Sequence, residues 1–369
     1  VIQIPQDKIA QELRGATKLS YALGIVTREG KLIDGGIYGE ENSKIPVENR
    51  FFEIGSTTKT FTSLLLVQLA LEGVLDLDEP IVSFKPEYRN ALTYQGKEVT
   101  FRHLATHTSR LPREDIKVIR KIMKEDKENK KNVYHHYTKE HFHNFYLEHD
   151  LKKEIGKKWG YSNIGFGLLG RVLSEIVGMD YEDAIKTHIL NPLDMHDTFV
   201  TPEQSQVERY IQAYNKKGDK FPPLGFGSIH GAGALRSTIS DMMIYLEHQM
   251  GLRESSLTEA ITRTHQDQNV EIMKNMRMGL SWFIEQKKEL KYPIIHHGGT
   301  TFGFHTYCGF IKELQIGVIM FSTIQLKAWR IIKMLLNLAN GVNEDVALSV
   351  FKQYSEKKIS LTNDMRMLS

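Results

Sequence analysis

The sequence has one cysteine, Cys308, in 369 residues. That excludes an internal disulfide but does not fix the compartment. Cys308 lies in an apolar, strand-like stretch, which suits a small core residue better than a reactive thiol. Long hydrophobic runs are also missing, and none approaches the roughly 18–20 residues a helix needs to cross a bilayer. A surplus of charge is lacking too. Lys and Arg number 48 against 45 Asp and Glu, a net charge of +3, too small at this length to make nucleic acid the obvious partner. No internal repeat is present. The sequence begins at Val1 rather than Met, so a signal peptide would not be visible in it. What remains is the composition of a soluble globular protein, 41% hydrophobic and 25% charged. The length suffices for one large domain or two ordinary ones with a sizeable core.

Strand signals gather at the two ends. Tyr21–Val26 and Lys31–Tyr38 flank Arg28-Glu29-Gly30, a β-hairpin pattern. Further strands are expected over Ile294–Gly298, Phe304–Phe310 and Ile316–Phe321. Between them the pattern is mostly helical, and Ala328–Leu338 reads as an amphipathic helix stopped by Gly341. The expected fold is α/β (α+β): an antiparallel sheet formed from both chain ends and flanked by helices, with an inserted, mostly helical domain. The corresponding division is 1–75 and 229–345 for the sheet domain, 76–228 for the insert and 346–369 for a C-terminal tail, with the active site in the cleft between domains.

Three motifs carry chemistry. In Phe52-Glu53-Ile54-Gly55-Ser56-Thr57-Thr58-Lys59 an apolar run meets a Gly and then a helix that continues to about Leu71. Residues three apart on a helix share a face, with roughly 5–6 Å between Cβ atoms, so a neutral Lys59 could take the Ser56 proton and make a nucleophile. Alone the spacing is weak, because it recurs at Ser349–Lys352 and Ser355–Lys358. Tyr161-Ser162-Asn163 precedes a second helix. A Tyr161 hydroxyl relays protons if a nearby cation, here Lys59, lowers its pKa, and Asn163 offers an amide donor and acceptor. The same three residues also suit a tyrosine packed on a helix start with Ser162 or Asn163 as cap. His297-Gly298-Gly299-Thr300-Thr301 ends a strand. Its glycines let a ligand lie close against the backbone, and main-chain N–H groups there, with that of Ser56, suit an oxyanion hole. His297 would offer a hydrogen bond to a substrate carboxylate or tune Tyr161 by charge. A tight turn with an incidental His fits the motif equally well.

Residues 113–158 are hydrophilic and Lys-rich, the pattern of a solvated helical face or insertion. The stretch holds histidines at 135, 136, 141, 143 and 149, of which those at 136, 141 and 143 lack the carboxylate or Cys partners and regular spacing of a metal site. Neither a metal nor an organic cofactor is called for.

Taken together, Ser56-Thr57-Thr58-Lys59, Tyr161-Ser162-Asn163 and His297-Gly298-Gly299 resemble the class C β-lactamase-like serine hydrolases. That family includes penicillin-binding D-alanyl-D-alanine carboxypeptidases, D-aminopeptidases and esterases. Phe101–Pro112, Asn191–Met195 and Gly231–Met242 are similar to further family segments, so the resemblance covers roughly residues 20–340. Arg110 and Asp194 stand where glycines are common. His297 stands where the β-lactamases carry Lys, which leans the resemblance toward peptidases, aminopeptidases or esterases. It implies a β-lactamase/transpeptidase-like fold and an acyl-enzyme on Ser56. Lys59 would be base and Tyr161 proton relay, with Asn163, His297, Gly298, Gly299, Thr300 and Thr301 binding substrate. D-amino-acid peptides or amides are the implied substrates, with β-lactams as acylating ligands and an extracytoplasmic location. An esterase of small acyl esters and a non-catalytic relative used for binding are the alternatives.

Overall fold

A computed structural model describes residues 3–14, 16–40, 44–125, 128–325 and 341–367. Its centre is an eight-stranded sheet. In chain order the strands are β1 (Tyr21–Thr27), β2 (Gly30–Gly36), β3 (Val270–Met273), β4 (Met276–Met278), β5 (Phe283–Glu285), β6 (Ile294–Thr300), β7 (His305–Ile311) and β8 (Ile316–Ser322). Their spatial order is β2-β1-β8-β7-β6-β5-β4-β3, and every neighbouring pair is antiparallel. The two ends of the chain meet where β1 pairs β8, from Tyr21 opposite Ser322 to Thr27 opposite Ile316. The expected antiparallel sheet built from both ends is therefore present. It is wider than the sequence suggests, because β3 to β5 extend it beyond β6.

The strands read as unbroken apolar runs because both faces of the sheet are covered. Ala22, Val26, Cys308, Phe310, Ile319 and Phe321 face one apolar cluster. Leu23, Ile25, Tyr307, Ile311, Val318 and Met320 face the other, following the two-residue alternation of a strand. Cys308 is a fully buried free thiol, and burial pushes its pKa up.

On the first face lie helices α1 (Thr58–Leu71), α2 (Asn163–Val177) and α3 (Ile239–Gln249). The α1 residues from Thr58 to Val67 are all buried, as a nearly continuous apolar helix must be between layers. The 76–228 stretch also carries helices at Phe101–Ala105, Ile116–Glu125 and Lys139–Glu148. Their buried side chains, such as Phe101, Ile122, Phe142 and Tyr146, belong to the same cluster as Phe61 and Leu65 of α1. The helical insert and the sheet thus share one core.

The opposite face is covered by α4 (Val342–Met367). Sequence patterning sets 346–369 apart as a tail, yet Val346, Ala347, Val350 and Phe351 are buried against the sheet. Their one-and-four spacing is a narrow apolar stripe in a polar background. The expected helix over Ala328–Leu338 lies outside the described residues. Among the described residues no helix is long and apolar enough to cross a membrane. Arg110 and Asp194, which stand where glycines are common in similar sequences, adopt φ of 69° and 56°. Those turns keep the left-handed backbone that favours glycine.

Candidate active site

Ser56 owes its position to a short ladder and a glycine. Phe52–Glu53 pairs with Arg236–Ser237 and feeds a 3-10 turn, Gly55–Thr57, that runs into α1. Ser56 therefore sits in the turn before the helix. Gly55 has φ of 50°, and a Cβ there would come 2.9 Å from the Thr300 nitrogen at the end of β6. Backbone meets backbone at this point. Lys59, one turn later, is fully buried beneath Ser56. Its Nζ is 2.7 Å from Asn163 Oδ1, 2.6 Å from the Ala232 carbonyl oxygen and 3.1 Å from Ser56 Oγ.

Burial pushes the Lys59 pKa well below its ordinary value, with Glu114 opposing the shift and Arg113 adding to it. The three partners suit the resulting neutral amine. Two N–H groups donate to the Asn163 and Ala232 oxygens, and the lone pair is left for the Ser56 hydroxyl. The two other Ser-x-x-Lys copies differ at this level. Lys352 and Lys358 reach out to Glu289 at 3.3 Å and Glu29 at 2.7 Å.

Tyr161 hydrogen-bonds Ser56, and burial pushes its pKa up to about 12. The Ser56 hydrogen bond and Arg113 pull it down, while Glu114 pushes it up. The cation that pulls the Tyr161 pKa down is therefore Arg113, whose guanidinium lies 5.0 Å from the ring centroid, and not Lys59 as the sequence suggests. Lys59 also lies over the ring, at 4.8 Å, but burial disfavours its charged form. Ser162 caps α2 by accepting the Gly165 N–H at 2.9 Å and donates to the Pro112 carbonyl at 2.7 Å. His107 Nδ1 accepts the Ser162 N–H at 3.1 Å, and its ring packs 4.3 Å from that of Tyr161. The Phe101–Pro112 segment therefore acts as a cradle for Tyr161.

β6 forms the facing wall. A Cβ on Gly299 would overlap the Ile54 carbonyl oxygen and lie 3.2 Å from the Ser56 nitrogen, so only glycine allows the strand this close. His297 is buried, and its Nδ1 is 2.6 Å from the Gly298 carbonyl oxygen. Burial, with Lys59 adding to it, pushes the His297 pKa down to about 3. The residue is neutral at physiological pH and has no charge with which to tune Tyr161.

The cleft has two lobes. A polar lobe of about 590 Å3 is bordered by Ser56, Tyr161, Asn163, His297, Gly298, Gly299 and Thr300, together with Arg113 and Glu114. An apolar lobe of about 300 Å3 is bordered by Ser56, Asn163, Thr300 and Thr301 with Leu224, Phe226 and Ile229. Every site residue expected from the sequence borders one lobe or the other, except Lys59, which lies beneath. Sheet and insert each contribute a wall.

Sequence reasoning does not identify Arg113, Glu114, Tyr134 or the Ala232 carbonyl. Glu114 Oε1 accepts from Asn163 Nδ2 at 2.5 Å and from the Tyr134 hydroxyl at 2.8 Å, and so orients the amide that contacts Lys59. Nothing marks these residues within a charged stretch. Of the histidines in 113–158, His141 Nδ1 accepts the Thr138 N–H in a helix cap, and His143 meets the Tyr88 hydroxyl at 2.8 Å. No group of three or more metal-ligating side chains occurs among the described residues.

Comparison with known proteins places the chain in a family. Residues 7–339 match the family described as Beta-lactamase. The chain is 29% identical over 329 residues to the D-alanyl-D-alanine-carboxypeptidase/endopeptidase AmpH of Escherichia coli (strain K12), covering 84% of this chain and 82% of that protein. It is 28% identical over 356 residues to a beta-lactamase of Providencia stuartii, covering 87% and 82%. Among solved structures, a class C beta lactamase from Rhodobacter sphaeroides superposes with a TM-score of 0.74 at 18% identity, covering 94% of this chain and 98% of that one. A beta-lactamase/D-alanine carboxypeptidase from Pseudomonas syringae does so with a TM-score of 0.73 at 18% identity, covering 91% and 98%.

Proposed function

The chain belongs to the beta-lactamase family, and on that premise we propose that it is a serine hydrolase whose acyl-enzyme forms on Ser56. One observation carries this reading: a fully buried lysine amine with two acceptors and, as its third contact, the Ser56 hydroxyl at 3.1 Å. Ser56 Oγ attacks a carbonyl carbon while its proton passes to the Lys59 lone pair. The main-chain N–H groups of Ser56 and Thr300 face the developing oxyanion. Tyr161, a neutral phenol, gives its proton to the departing nitrogen or oxygen and is reprotonated from Lys59. Water then attacks the acyl-enzyme by the reverse relay, and Ser56 leaves with its proton restored. Asn163 holds the acyl-side amide, and Thr301 and the β6 backbone hold the leaving-group side. His297 contributes there by hydrogen bonding alone. A leaving-group carboxylate has Arg113 as its counter-ion, the guanidinium already poised beside Tyr161.

We assign D-amino-acid peptides or amides as substrates, with β-lactams as acylating analogues, on the likeness to the carboxypeptidase/endopeptidase. The apolar lobe favours a second reading, an esterase of small acyl groups. Amide and ester share a tetrahedral intermediate, so a panel decides. D-alanyl peptides and D-amino-acid amides are expected to be turned over with higher kcat/KM than matched nitrophenyl esters, after correction for leaving-group reactivity. Turnover confined to esters would establish the second reading.

Gly299→Ala tests the oxyanion role. The added methyl must push β6 off the Ser56 turn. Turnover is expected to fall about 10²–10³-fold, with an accompanying drop in Tm. An unaltered kcat would remove Thr300 from the oxyanion hole.

A further inference from the structure

The segment that walls the apolar lobe has no regular structure of its own. Residues 221–226 belong to neither helix nor strand, and Leu224 makes no main-chain hydrogen bond among the described residues. Two side chains take its backbone instead. The Leu224 N–H donates to Glu53 Oε1 at 2.6 Å, and Arg236 Nη2 donates to the Leu224 carbonyl oxygen. Glu53 and Arg236 stand directly opposite each other in the two-residue ladder that feeds the Ser56 turn, so their side chains share a face. Both are buried, as is Leu224. Glu53 Oε1 also accepts the Tyr210 hydroxyl at 2.5 Å. Arg236 Nη1 donates to the Val200 and Ala234 carbonyl oxygens, the latter at 3.2 Å. A buried backbone donor deprived of its acceptor costs its full desolvation, so Leu224 is fixed where the carboxylate and the guanidinium stand.

Phe226, two residues on, is held separately by its ring, which stacks on that of Tyr134 with centroids 5.7 Å apart. Position then fixes what the lobe receives. Tyr161, which hands its proton to the departing atom, borders the polar lobe. Asn163, assigned to the acyl-side amide, borders both lobes. A group carried beyond that amide therefore enters the apolar lobe, against Leu224, Phe226 and Ile229.

We propose that Glu53 and Arg236 are specificity-determining positioning residues, which clamp Leu224 so that the apolar lobe selects substrates bearing an apolar group, such as an aryl ring, on the acyl-side amide. The proposal rests on the acyl-enzyme reading above. Neither side chain borders either lobe, and both act through Leu224. A purely structural role for the pair would slow all substrates alike. The clamp acts on the contrast between substrates with and without the apolar group.

The experiment compares kcat/KM for the p-nitrophenyl esters of N-phenylacetyl-D-alanine and N-acetyl-D-alanine, which share leaving group, acyl residue and amide, with the Ser56→Ala rate subtracted. The wild type is expected to favour the phenylacetyl ester at least about tenfold, as burial of an aromatic ring provides. That ratio is expected to fall to about one in Glu53→Ala, which orphans the Leu224 N–H. The same fall is expected in Arg236→Lys, whose ammonium lacks the planar fork that reaches several carbonyls at once. Glu53→Gln keeps an acceptor oxygen and retains most of the preference. Arg236→Lys and Glu53→Gln decide the matter if Glu53→Ala does not fold. A ratio unchanged in Arg236→Lys, even with both rates lowered, would make the pair structural only and overturn the proposal. So would a wild type with no preference for the phenylacetyl ester. Nitrophenolate release no faster than in Ser56→Ala with either ester would instead remove the acyl-enzyme reading, and this proposal with it.

Discussion

Ser56→Ala is expected to reduce turnover by at least about 10⁴-fold, the scale on which loss of a serine nucleophile registers when the rest of the site is intact. The change is local. Ser56 lies in a 3-10 turn held by the glycine contact with β6 and by burial of α1, and none of those supports uses the hydroxyl. Tm should therefore move little, and substrate amides should still bind. Residual activity comes from the oxyanion donors and substrate orientation alone. Retention of more than a few per cent of wild-type kcat/KM would mean that another group attacks the carbonyl.

Lys59→Arg is expected to cost about 10²–10⁴-fold, the range for loss of a general base. A guanidinium stays protonated in proteins and has no lone pair to offer. Lys59→Met, which has no charge to bury, should show a similar loss and separates missing base chemistry from a misfolded site. The wild-type pH profile supplies the sign. Burial lowers the Lys59 pKa, so the reactive neutral amine accumulates as pH rises through that lowered value. Tyr161 keeps its proton until about pH 12. The logarithm of kcat/KM should rise along a single ionisation well below the ordinary lysine value of about 10.4 and then hold level well into alkali. A profile that falls on the alkaline side near neutrality would contradict Tyr161 as a proton donor that stays protonated until about pH 12.

Much of this was legible in the sequence because it depends on local pattern. The hairpin at 21–36 and the strands β6 to β8 announce themselves as apolar runs broken by glycine, and the nearly continuous apolar content of α1 implies a helix buried between layers. The strands β3 to β5 do not, since they are three or four residues long and Val270–Met273 alternates between half-buried and exposed. The C-terminal helix hides for a related reason: its buried side chains, among them Val346, Ala347, Val350 and Phe351, are diluted by Lys, Gln and Ser.

The electrostatic character of the site was less legible still. His297 reads as a group near its titration point, but enclosure by β6 and its neighbours decides that it is neutral. Arg113 and Glu114 sit in a run of charged residues where nothing distinguishes them from solvated surface. Their roles come from contacts with Tyr161, Asn163 and Tyr134, 20 to 49 residues away, which no local window contains.

The central claim is that Ser56 is the nucleophile of an acyl-transfer site, and trapping the covalent intermediate tests it most directly. Folded protein incubated with a penicillin, and separately with a fluorophosphonate, is analysed by intact mass and peptide mapping. The account predicts a single adduct on Ser56, of the whole penicillin mass for the opened lactam and of the fluorophosphonate mass less HF for the phosphonyl ester, absent in Ser56→Ala. A long-lived penicilloyl adduct would mark a penicillin-binding peptidase and rapid release a lactamase. No adduct with either reagent, or an adduct mapping to another residue, would contradict the account.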